Sequence, residues 1–97
     1  MSSFVYVLSL SERLYDDNAW TSEDEKAIND HFNRIKADYG AKKIIHVGRT
    51  VDPKNGGFGL VIFHADSLEE AIKYANLDPA VVGGQMTVKV FPYKLIF

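Results

Sequence analysis

Two histidine pairings and one Asp-Pro step hold most of the chemistry that this sequence can offer. His31 lies inside a helical pattern, on the same stripe as Ile28, Phe32, Ile35 and Tyr39. A neutral imidazole can take or give a proton near pH 7 if a neighbour orients it. The alternative is a core histidine satisfied by a backbone carbonyl. Asp78 follows an amphipathic segment, at the helix end where the carbonyl dipoles disfavour a negative charge. Because Pro79 follows it, Asp78 suits the N-cap of a new turn, with Pro79 as its first helical residue. It also suits a partner for His31, since a carboxylate bonded to one imidazole nitrogen fixes the tautomer and leaves the other nitrogen to act as acid or base.

The remaining candidates are weaker. His46 and His64 occupy two strands of an expected hairpin, directly opposite each other if its three-residue loop is centred on Asn55. No third ligand and no HxxxH pair accompanies them, so they read as surface or dimer-face histidines and no metal site is expected. Arg49 stands near a strand end, either solvated or placed to hold an anionic ligand by a two-point contact. Tyr93, after Pro92, can line a pocket or simply pack. The NGGFG stretch, 55–59, is a turn and not a phosphate loop, because no helix follows it. The chain has no Cys, which removes disulfides and thiol chemistry.

The elements that must position these groups are legible. FVYVLSL (4–10) reads as a strand with apolar side chains on both faces. Residues 11–20 form a long loop with Leu14, Tyr15 and Trp20 embedded in it, packed against the body of the domain. Residues 21–40 form a helix: Thr21 or Ser22 caps it, Asp24 or Glu25 completes a capping box, and Gly40 stops it. Strands over 42–51 and 57–65 flank the DPKNGG turn. A second helix, 66–77, carries Ser67 and Glu70 as its capping box and Leu68, Ala71, Ile72 and Ala75 as its stripe. A last strand occupies 85–97, with Pro92 at an edge or bulge.

The order β-α-β-β-α-β is the ferredoxin-like plan: an α+β fold with a four-stranded antiparallel sheet and both helices on one face. Ninety-seven residues make a single domain, 1–97, with 46% hydrophobic and 25% charged residues. Two helices cover one sheet face, so a homodimer is expected to cover the other and to take up the apolar KLIF tail. A net charge of -2 without a basic stripe argues against nucleic acid and anionic membrane as partners. No apolar run approaches the ~18 residues needed to cross a bilayer. The N-terminus lacks a signal-peptide pattern, so a cytoplasmic protein is expected.

Four stretches, in this order and at this spacing, resemble the YCII-related (YciI-like) family: TSEDEKAINDHFNRI, GRTVDPKNGGFGLVIFHADS, SLEEAIKYANLDPAVVGG and VKVFPYKL. The resemblance spans nearly the whole chain. It implies a dimeric α+β barrel and a candidate active site made of a His-Asp pair, carried here by His31 and Asp78. It also implies kinship with muconolactone isomerase-type proteins and with lyase-like enzymes acting on substituted aromatic rings. Gly48-Arg49 stands where the family often has Gly-Pro, which changes the charge of the pocket mouth. Loop 11–20 is expected to act as a lid. The resulting expectation is a small acid/base enzyme, lyase- or isomerase-like, without a cofactor, acting on a small metabolite. Phe32, Arg49, Pro79 and Tyr93 are assigned to its ligand-binding wall. The alternative is a ligand-binding or regulatory dimer on the same scaffold.

Overall fold

Four strands, three α-helices and two 3-10 turns follow one another in the computed structural model, which describes residues 2–97. Strand β1 (Ser2–Leu10) leads through the 3-10 turns Glu12–Tyr15 and Asp17–Ala19 into helix α1 (Ser22–Gly40). Strands β2 (Ile44–Arg49) and β3 (Gly59–Ala65) form a hairpin. Helices α2 (Leu68–Asn76) and α3 (Pro79–Val82) precede strand β4 (Met86–Pro92). The sheet is antiparallel in the order β2-β3-β1-β4, so the fold is the expected ferredoxin-like α+β plan.

The helix starts follow from local chemistry. Thr21 and Asp24 form a reciprocal capping box, each side chain meeting the other's backbone N–H. The Ser67 hydroxyl accepts from the Glu70 N–H at the start of α2. One sheet face and the helices then share a core of Phe4, Tyr6, Leu8, Ile35, Val61 and Phe63, among others. Ala71 and Ala75 are fully buried, and these small residues let α2 approach the sheet closely, with Tyr74 packed beside them on Phe63 at 4.9 Å between ring centroids.

Several expectations need correction. On α1 the buried stripe is Asp24, His31 and Ile35, while Phe32 and Tyr39 stand exposed on its flank. On α2, Leu68 and Ile72 are exposed for the same reason: the inward stripe is narrower than the apolar pattern suggests. The last strand stops at Pro92 on the sheet edge, the Tyr93 N–H still donates to the Ser3 carbonyl, and Tyr93–Phe97 adopt no regular structure.

His46 and His64 are not opposite each other. His46 pairs with Ile62, and His64 pairs with Ser3 on β1. The loop is longer than three residues and centres on Lys54, closed by Thr50 N–H donating to the Phe58 carbonyl, and a separate irregularity falls beyond His46, between it and Ile44. Asn55 and Gly56 take positive φ values at its tip. Gly57 is required by close approach, since a Cβ there would lie 2.0 Å from the Asp52 carbonyl oxygen.

Segment 11–20 is tied to the body of the domain and borders the cavity through Trp20. Arg13 makes a two-point contact with buried Asp24, at 2.8 and 2.9 Å. Gln85 donates to the same carboxylate, and Ser11 donates from its backbone N–H to Gln85 and from its hydroxyl to the Gly84 carbonyl. The Trp20 indole donates to the Leu14 carbonyl. These contacts, Arg13 first, hold the Asp24 carboxyl far below the usual carboxylate range, so it stays an acceptor.

Candidate active site

Asp78 answers the question that its position raises. Helix α2 ends at Asn76, and Asp78 is the N-cap of α3, accepting from the Ala80 N–H at 2.9 Å. The same carboxylate lies 2.7 Å from His31 Nδ1 and accepts from the Tyr6 hydroxyl at 3.0 Å. Capping and pairing with His31 are therefore combined in one side chain. Asp78 has no exposed surface and His31 retains 3%.

The electrostatics decide the protonation pattern. Burial by itself raises the Asp78 carboxyl, but the His31 imidazole, the Ala80 N–H and the Tyr6 hydroxyl outweigh it, and the net shift is downward. Asp78 is thus ionised at neutral pH and only accepts. Burial first, then the negative charge of Asp78, push the Tyr6 hydroxyl far above its ordinary range, so Tyr6 remains a donor. His31 then donates through Nδ1, and Nε2 has no hydrogen-bond partner among the described residues; in the neutral ring the lone pair is on Nε2.

His31 forms part of the wall of a cavity of about 370 Å³. Its roof is α1, through Ile28, Phe32 and Ile35; its floor is the inner sheet face, including Leu8, Val47, Val61 and Met86. Trp20 closes one side, and Pro53 and Phe58 of the hairpin loop close another. His31 and Arg49 are the only lining residues, among those described, that are neither apolar nor glycine. The cavity is at the small end of the usual range for ligand sites and fits a single-ring compound.

The structure brings together His31, Asp78, Phe32 and Arg49 around this space, Asp78 from behind the imidazole. Pro79 lies on the far side of Asp78 as the first residue of α3 and is not part of the cavity wall. Tyr93 borders a different, shallow groove with Phe4, Leu68 and Pro92, because the chain leaves the sheet at the opposite end of β1. Tyr6 and Phe58 have no site role in the sequence reading, and Trp20 enters it only as a packing residue of the loop. Tyr6 carried a usable signal: it alternates with Phe4 and Leu8 on a buried face, and a buried phenol needs a partner. Among the described residues no group of three or more His, Cys, Asp or Glu is placed to hold a metal ion.

The model of the YCII-related domain matches residues 9–94. The chain belongs to the YCII-related family. No curated protein sequence matches it. Among solved structures, it is similar to 5-chloro-2-hydroxyhydroquinone dehydrochlorinase (TftG) from Burkholderia phenoliruptrix AC1100, determined in complex with 2,5-dihydroxybenzoquinone. That similarity has a TM-score of 0.61 at 17% identity and covers 95% of this chain and 93% of the dehydrochlorinase, and it is a likeness of fold. Among the described residues, no helix of this YCII-related chain is long and apolar enough to cross a membrane.

Proposed function

We propose that this YCII-related protein is an acid/base enzyme, lyase- or isomerase-like, acting on a small single-ring metabolite. The observation that carries the reading is the buried His31–Asp78 pair at 2.7 Å, with Nε2 left over in the wall of an apolar cavity. Asp78 orients the ring and stabilises the imidazolium that forms when Nε2 accepts a proton. Removal of an acidic O–H or C–H proton, followed by departure of a leaving group or by proton return elsewhere, suits a single base of this kind. The aromatic walls Trp20, Phe32 and Phe58 favour a flat, unsaturated ring. The dehydrochlorinase of similar fold supports a hydroxylated ring as the first compound to test, with chloride release as the readout. Binding of 2,5-dihydroxybenzoquinone without turnover of any chlorinated hydroxyhydroquinone would favour the non-catalytic reading, a ligand-binding dimer.

The tautomer offers a direct check. Imidazole 15N shifts at pH 7 are expected to show His31 protonated on Nδ1 and bare on Nε2. Asp78→Asn is expected to remove that preference, because the amide no longer demands a donor. An Nε2-protonated ring in the wild type would sink the proposed mechanism.

The functional unit is proposed to be a homodimer closed through the outer sheet face. Val5 pairs with Ile62 on one side and Phe91 on the other, and Val7 pairs with Leu60 and Lys89, so an apolar band runs across this face with Lys89 at its edge and with Val5 and Ile62 already buried within one chain. Phe91 is 48% exposed on it. Sedimentation at micromolar concentration is expected to give a dimer, and Phe91→Asp to shift it to monomer. A wild-type monomer would remove the dimer from the proposal.

A further inference from the structure

We infer that Arg49 makes this cavity selective for ring compounds carrying a carboxylate, an inference that rests on the cavity being the site proposed above. Among the described residues, Arg49 is a cation at this cavity without a carboxylate partner. Arg49 ends β2 and pairs with Gly59 on β3, so no side chain stands across from it. Gly59 keeps the floor low between Arg49 and Leu8: a Cβ there would lie 3.8 Å from the Cβ of each. The Arg49 guanidinium donates through Nη1 to the carbonyls of Thr50 and Val51, both at 2.9 Å. Those two bonds hold the group at the cavity mouth and set its orientation.

They also decide what is left. With Nη1 occupied, the side edge of the guanidinium, Nε–H beside Nη2–H, has no partner among the described residues, and Arg49 takes part in no ion pair there. Two parallel N–H groups on one edge match the two oxygens of a carboxylate. No Asp or Glu lines the cavity, and every wall residue between Arg49 and His31 is apolar or glycine. A ring in this space therefore meets proton-transfer chemistry at His31 and a carboxylate fork at Arg49. A neutral ring would leave the fork to water.

The test uses benzoate and its neutral isostere benzamide, titrated into the protein and followed by the indole N–H signal of Trp20. This is the chain's one tryptophan and part of the cavity wall. Benzoate is expected to bind about tenfold more tightly than benzamide, as a charge-assisted pair adds over a neutral one. The preference should shrink at high salt. Arg49→Gln is expected to bring the ratio of benzoate to benzamide affinity to about one, and Arg49→Lys to keep part of the preference. Because Arg49 also ties the hairpin, the preference is read as a ratio within each protein, and the wild-type comparison stands without any variant. No benzoate binding, equal affinities in the wild type, or a preference that survives Arg49→Gln would each overturn the inference. The His31 tautomer is read separately. A carboxylate preference with an Nε2-protonated His31 keeps Arg49 as a selector and rejects the acid/base reading, and the reverse result rejects only the selector.

Discussion

Asp78→Ala is expected to lower the stability of the fold by about 3–5 kcal/mol, the usual cost of removing one partner from a buried charged pair. Three donors converge on this carboxylate: His31 Nδ1, the Tyr6 hydroxyl and the Ala80 N–H. Alanine leaves all of them buried and unmet and removes the cap of α3. Since a domain of this size has about 5–15 kcal/mol in total, the variant would be only marginally folded. Urea midpoints read by circular dichroism measure the loss, and a shift under about 1 kcal/mol would show that the convergence is energetically empty. Acidity gives a second reading. The folded Asp78 carboxyl lies below its unfolded value. Its contribution is therefore complete above about pH 5, where the unfolded chain is already ionised, and is lost as pH falls through the folded value. The acid loss of stability should be shallower in Asp78→Ala. It should not vanish, because Asp24 is held down in the same way by Arg13, Gln85 and Thr21.

The parts of this picture that were legible in the sequence are those governed by local rules. Thr21 with Asp24, Ser67 with Glu70, and Asp78 with Pro79 each announce a helix start through chemistry confined to four residues. His31 is legible because the helical period puts it with Ile35 on the buried side of α1. What escaped depends on distances along the chain. Tyr6 reaches Asp78 across 72 residues, and nothing near Tyr6 marks its hydroxyl as a donor to a carboxylate. Trp20 and Phe58 become cavity wall only because segment 11–20 and the hairpin loop fold toward the same end of α1. The β2–β3 register fails for a related reason: the pairs centre on Lys54 and not on Asn55, which moves His46 from His64 to Ile62, and the side-chain pattern of IIHVGR tolerates either setting.

Replacing His31 tests the chemistry itself. Glutamine fills the space and can still hydrogen-bond Asp78, but it has no nitrogen that takes a proton near neutral pH. If Nε2 is the acid/base group, turnover of the chlorinated ring probe should fall by about 10²–10⁴-fold, the usual worth of one positioned proton-transfer group. Ring binding should change little, since His31 is one wall among many apolar ones. The fall then belongs to kcat and not to affinity, which is the mark of an interaction made in the transition state. Tyr6→Phe gives a graded companion: it removes one of the donors that seat Asp78 without touching the cavity, since Tyr6 does not line it. Its loss should be smaller than that of His31→Gln and should appear with the His31 tautomer still fixed on Nδ1. If His31→Gln turns over at the wild-type rate, the base lies elsewhere. The buried pair would then be a polar anchor between α1 and the start of α3, joining two elements that share only side-chain contacts, and the cavity beside it a binding site.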